Sequence, residues 1–125
     1  FKKIETIGFT TRYRDKDKKA LKEVLKIAKK TNAKVKCLYV KTNNSDVSPS
    51  TIKQWEEEFL GEPIQFSIIP SDDVHDTILD FVLFKDIDVL AMLTYKRNFF
   101  VELFKPSLTQ KFSNRLDIPV LAMHQ

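Results

Sequence analysis

Val89-Leu-Ala-Met-Leu93 is an unbroken apolar run between Asp88 and Thr94. A short run with no polar interruption suits a strand covered on both faces, as in a parallel sheet sandwiched by helices. The rest of the chain supplies such a sheet. Ile4 to Thr11 reads as a first strand, and Asp15 or Asp17 is placed to cap a helix running to about Asn32. In that helix Leu21, Val24, Leu25 and Ala28 recur at i, i+3, i+4 and i+7, so one face is apolar. Val35 to Val40 is a second strand, followed by the polar loop Lys41 to Asp46. Ser48 and Pro49 then form an N-cap and first helical position. Ile52, Trp55 and Phe59 line that helix's buried side, and Gly61 with Pro63 ends it.

Ile64 to Ile69 alternates as a third strand and stops at Pro70. Ser71, Asp72 and Asp73 open a third helix whose Ile78, Leu79, Phe81, Val82 and Phe84 make it apolar nearly all round, as in a helix that is buried or shared with a partner. After the strand Val89 to Leu93, Ser107 with Gln110 makes a capping box for a fourth helix carrying Leu108, Phe112 and Leu116 inward. Ile118 to Met123 is a final strand with Pro119 at its start, where a missing N–H does least harm. Strands alternating with helical crossovers imply an α/β fold: a five-stranded parallel sheet with helices on both faces, joined right-handed.

A length of 125 residues suits one domain, and 42% hydrophobic with 30% charged residues is ordinary for a globular chain. No apolar run approaches the ~18 residues needed to span a bilayer, so no membrane partner is expected. The chain opens at Phe1, which suits a processed product or a domain of a longer protein. The lone Cys37 excludes an internal disulfide and fits a reducing, cytoplasmic setting; on a buried strand it reads as an inert core thiol. The net charge of +4 owes much to Lys18, Lys19, Lys22, Lys26, Lys29 and Lys30 on the first helix. That helix has neither interleaved aromatics nor a nucleic-acid reading module, so it reads as a solvated face and no nucleic acid is expected.

Six segments carry a resemblance to a known family. Lys3-Ile-Glu-Thr-Ile-Gly-Phe-Thr-Thr11, Lys19-Ala-Leu21 and Ala28-Lys-Lys-Thr-Asn-Ala-Lys-Val35 come first. Asp88-Val-Leu-Ala-Met-Leu, Pro106-Ser107 and Ile118-Pro-Val-Leu121 come last. In their order and spacing they resemble the strands and helices of the universal stress protein family. The resemblance implies a Rossmann-like, adenine nucleotide alpha hydrolase-like sheet in the order 3-2-1-4-5. ATP-binding members carry glycine, two residues, glycine, nine residues, then glycine followed by Ser or Thr, just after the fourth strand. Registered on Ser107, the three glycine positions fall on Leu93, Lys96 and Pro106. Residues 88–110 contain no glycine at all. Side chains at Leu93 and Lys96 keep the backbone away from phosphates, and Pro106 removes a donor. The family's nucleoside-contacting Asp at the end of the first strand is Arg12 here. The resemblance thus implies a member without the ATP grip, and no cofactor is expected, ATP included.

Other residues offer a replacement. Thr11, Arg12 and Arg14 follow the first strand, Lys96 and Arg97 the fourth, and Ser107 opens the last helix. In the order the resemblance implies, those strands are neighbours, and four cations near a helix N-terminus could hold a small anionic ligand. The plainer reading is that these long side chains simply splay into water. Phe99, Phe100 and Phe104 either form a contact patch or close the crevice from within. Asp72, Asp73, His75 and Asp76 suggest a metal or acid/base site, but acidic residues in a helix's first turn suit the helix dipole without one. The resemblance also implies dimerisation through the last strand, with Val120, Leu121, Ala122 and Met123 as the edge to be covered by a second copy or a sister domain.

The leading expectation is a non-enzymatic stress-response binding or interaction module. The alternative is a nucleotide- or small-anion-binding protein, including a nucleotide hydrolase, because this architecture hosts many chemistries.

Overall fold

The computed structural model describes residues 3–93 and the backbone of residues 120–123. The chain runs β1 (Thr6–Thr10), α1 (Asp15–Thr31), β2 (Lys34–Lys41), α2 (Pro49–Glu58), β3 (Ile64–Pro70), α3 (Val74–Phe84), β4 (Val89–Leu93) and β5 (Val120–Met123). All strand pairs are parallel, and β3-β2-β1-β4 lie side by side. Val120–Met123 runs along β4 in the register Leu90↔Val120 to Leu93↔Met123, next in order as β5. The expected fourth helix and its cap at Ser107 lie outside the described residues.

Strand alternation divides the core into two layers. Ile7, Phe9, Val35, Cys37, Tyr39, Ala91 and Leu93 point to one face, where Leu21, Val24, Leu25 and Ala28 of α1 and Trp55 of α2 cover them. Leu38, Leu90 and Met92 point to the other, against Ile78, Leu79, Phe81 and Val82 of α3. A sheet with cover on both faces explains why β4 is apolar throughout.

Local chemistry sets the boundaries. The α1 stripe expected from periodicity is buried as a unit. The helix ends at Asn32 in the left-handed region (φ 57°), and the Ala33 N–H donates to the Ala28 carbonyl at 2.8 Å. Its start meets expectation in part: the N-cap residue is Arg14, and Asp17 joins the cap from the third helical position, its carboxylate accepting the Arg14 N–H at 3.2 Å as in a capping box. Ser48 caps α2 through the Thr51 N–H, with Pro49 at the first position as expected. Strand β1 starts at Thr6 rather than Ile4, because the Glu5 and Thr6 N–H groups donate to the Asp88 carboxylate at 2.9 and 3.0 Å. Asp88 thereby clamps the start of β1 to the entry of β4. Of the two expectations for α3, burial or a face shared with a partner, burial holds for Ile78, Leu79, Phe81 and Val82 but not for its last turn. Leu83 and Phe84 are 45% and 70% exposed, because only one side of the helix meets the sheet.

On the outer surface, Lys18 and Lys22 of α1 reach Glu58 of α2 at 2.9 and 3.3 Å, and Lys18 also lies 5.5 Å from the Trp55 ring centroid. Hydrogen bonds from Lys18 and then Lys22 hold the Glu58 carboxyl below the usual carboxylate range. Part of the lysine-rich face is thus spent on joining two helices.

Gly8 is where β1 meets α3 and the turn before β4. A Cβ there would come within 2.8 Å of the Ile87 Cγ2 and 3.2 Å of Phe81 Cε2. Ile87 is β-branched and buried, so it has little room to yield. Gly8→Ala is expected to lower stability by about 1–3 kcal/mol in urea unfolding, as overpacking does, while helical content is unchanged.

Candidate functional site

At the carboxyl ends of β1, β2 and β4 lies a cavity of about 400 Å³. This is the crevice where open α/β sheets hold ligands, beside the point at which strand order reverses between β1 and β4. Its volume is at the small end of ligand sites, which run to roughly 300–1,000 Å³. Leu38, Met92 and Ile78, all essentially buried, give it an apolar floor, with Val40, Val47 and Leu93 in the walls. Thr42, Asn44, Ser45 and Asp46 form one rim, and Thr11, Arg12 and Arg14 the other. A larger but shallow depression of about 680 Å³ lies at the opposite ends of the strands, lined by Lys3, Lys29 and Pro63 among others. It has no such convergence of apolar floor and charged rim.

The arginine rim is built by one carboxylate. Asp17 is 1% exposed, and its Oδ2 accepts the Arg12 N–H at 2.8 Å, the Arg14 N–H at 3.2 Å and the Thr11 hydroxyl at 3.3 Å. The Thr11 Oγ1 in turn accepts the Tyr13 N–H at 2.9 Å. This wrapping forces Tyr13 into the left-handed region (φ 59°), a conformation costing a non-glycine residue about 1–2 kcal/mol. The ring offsets that cost by burial. It stands edge-on to Tyr39 (5.1 Å between centroids) and Trp55 (4.8 Å) in the layer beneath α1 and α2. Burial, with smaller contributions from Cys37, Glu56 and Tyr39, pushes the Tyr13 phenol well above its ordinary value, so it stays protonated.

The turn therefore faces inward with its backbone and outward with its side chains. The Arg12 and Arg14 N–H groups, which a phosphate-cradling loop would aim at a ligand, are spent on Asp17. What the turn offers the cavity is two guanidinium side chains.

The opposite rim is held by its own short-range bonds. The Thr42 N–H donates to Ser45 Oγ at 2.9 Å and the Asn44 N–H to Thr42 Oγ1 at 3.2 Å. Asn43 is tied to Asp72 through its side-chain amide at 3.2 Å. The two rims touch where the Arg14 Nη2 stands 3.5 Å from the Asp46 Oδ1, both side chains well exposed.

Of the residues expected to bind a ligand, Thr11, Arg12 and Arg14 do converge on the cavity, although the Thr11 hydroxyl is committed to the turn. Lys96, Arg97 and Ser107 lie outside the described residues, as do Phe99, Phe100 and Phe104. Leu93, at the first glycine position of the ATP-binding pattern, is 8% exposed and packs into the α1-side core as well as the cavity wall. Asp72, Asp73, His75 and Asp76 do not converge as a unit. Asp73 caps α3 through the Asp76 N–H at 3.0 Å, Asp72 holds Asn43, and His75 lines the cavity. Cys37 is buried, and burial followed by the charge of Asp17 pushes its thiol far above the ordinary range. Val120–Met123 pairs with β4 along its backbone. Sequence reasoning missed the rim from Thr42 to Asp46; the signal was there, a polar run following a strand whose neighbour is the switch-point strand.

No protein-family model matches the sequence, and no curated protein matches it either. Solved structures do superimpose on nearly the whole chain. A universal stress protein in complex with cAMP is 14% identical with a TM-score of 0.67, covering 98% of this chain and 99% of its own. The universal stress protein UspA from Lactobacillus plantarum is 14% identical at 0.66, covering 98% and 99%. The universal stress protein from Archaeoglobus fulgidus in complex with dAMP is 12% identical at 0.58, covering 95% and 96%. At such identities the likeness is one of fold. The chain has the universal stress protein fold.

The turn chemistry makes Asp17 the residue on which the arginine rim depends. Asp17→Ala would leave three donors without their acceptor in a buried turn and is expected to lower stability by about 3 kcal/mol in urea unfolding. Asp17→Asn keeps an acceptor oxygen and is expected to cost about half as much.

Proposed function

We propose that this chain is a binding module of the universal stress protein type, which works by holding a small ligand rather than by turning it over. The observation that carries this reading is the switch-point cavity, with its apolar floor and arginine rim. Two structures of the same fold, described as complexes with cAMP and dAMP, support a nucleoside-type ligand. The buried Leu93 supports a site without the family's ATP grip, since a packed side chain stands where a glycine would open the backbone. In this reading the sheet is five-stranded and doubly covered, as in the adenine nucleotide alpha hydrolase-like folds. Its last strand, Val120–Met123, is the edge along which a second copy or a sister domain of a tandem chain pairs. No helix among the described residues is long and apolar enough to cross a membrane.

Calorimetric titration with adenosine, AMP and ATP with magnesium tests the reading. Saturable binding of adenosine or AMP is expected, weakened at least tenfold by Val47→Trp, which fills the cavity from its half-buried wall. Release of ADP from ATP would make the chain a nucleotide hydrolase instead. Absence of binding by all three compounds would sink the proposal.

A further inference from the structure

The rim contact between Arg14 and Asp46 bears on which ligands the cavity selects. We infer that Arg14 is the anchor for a single anionic group of the ligand, and that Asp46 is the internal counter-ion this group displaces. The site then selects a bipartite ligand, a flat apolar body carrying one phosphate, over the same body without charge. This rests on the proposed ligand cavity and adds to it the class of ligand and the residues that discriminate.

Three observations carry the inference. First, Asp17 takes the Arg12 and Arg14 N–H groups of the β1–α1 turn, so these two backbone donors are not open to an anion. What these two residues have left for an anion is their side chains, and a guanidinium meets phosphate oxygens two at a time. Second, the existing partner of Arg14 is poorly held. At 3.5 Å the Arg14–Asp46 contact is longer than an ordinary charge-assisted bond, and its side chains are 49% and 73% exposed. Exposed pairs of this kind are weak, so a phosphate can outcompete the carboxylate. Third, Asp46 is the acidic residue among the described residues lining the cavity, so it is the carboxylate there for an anion to displace. Beneath the rim the floor of Leu38, Ile78 and Met92 offers no charge to a second anionic group and suits an apolar ring.

Asp46 follows as a specificity residue rather than a mere rim acid. Its carboxylate holds Arg14 across the mouth when the site is empty and repels an arriving anion until Arg14 has changed partners. A neutral nucleoside gains nothing from that exchange.

The test is calorimetric titration of the full chain and of R14Q and D46N with 5′-AMP, adenosine and inorganic phosphate. Both substitutions fall on exposed side chains, and circular dichroism with thermal melts of the unliganded variants confirms that they fold. Wild type is expected to bind AMP about tenfold or more tighter than adenosine, the scale of one hydrogen-bonded charge. In R14Q that ratio is expected to collapse by about tenfold, and in D46N to rise several-fold. Equal ratios in all three proteins, with adenosine and AMP still bound, would overturn the role of Arg14 and Asp46 while leaving the cavity as a ligand site. Phosphate binding as tightly as AMP would overturn the bipartite ligand. Failure of both adenosine and AMP to bind would remove the underlying reading itself.

Discussion

The β1–α1 turn is organised around the side chain of Asp17, a carboxylate with almost no contact with water that accepts two main-chain N–H groups and one hydroxyl. A buried charge is tolerated only when it is saturated with donors, and this one is, within the span of a few neighbouring residues. The consequences spread outward. The turn must curl tightly enough to bring Arg12 and Arg14 N–H groups to one oxygen, which puts Tyr13 in a left-handed conformation and sends its ring inward. The same curl leaves the two arginine side chains at the mouth of the crevice.

Tyr13 shows how local strain and core packing are balanced. A glycine would adopt φ 59° at no steric cost, but it would also leave a gap beside Tyr39 and Trp55. The aromatic ring fills that gap and joins α1, α2 and β2 in one layer. A turn that in a phosphate loop would be small and open is here bulky and closed. The site's chemistry shifts accordingly, from backbone amides towards guanidinium groups, and its electrostatics depend on how those groups are paired across the rim.

The opposite rim makes the site a composite. Asp46 and the Thr42–Ser45 turn come from the β2–α2 connection, His75 from α3, and Met92 from β4. No one of these segments is a recognisable ligand motif. Their common property is position at the carboxyl ends of parallel strands, where the right-handed crossovers leave a crevice that the strand ends line. The two-layered core beneath, with Gly8 permitting close approach of Ile87 and Phe81, holds those strand ends in place.

Much of this was legible from the chain alone. Apolar periodicity placed Leu21, Val24, Leu25 and Ala28 on one face, and Ser48-Pro49 marked a helix start, because these signals are local and the physics behind them acts within a turn or two. The continuous apolar run of β4 implied cover on both faces, and Arg12 and Arg14 pointed to the strand end that lines the cavity. Only the tertiary structure revealed that Asp17 is buried and gathers the whole turn besides joining the helix cap, that Tyr13 is left-handed, that Phe84 faces solvent, and that Asp46 meets Arg14. The Arg14–Asp46 contact and the exposure of Phe84 depend on how distant segments pack, whereas the Asp17 turn has local partners and is decided by the balance of strain in Tyr13 against burial. Residue type and spacing set which elements form, whereas the partners of a side chain are decided when the sheet brings the strand ends together.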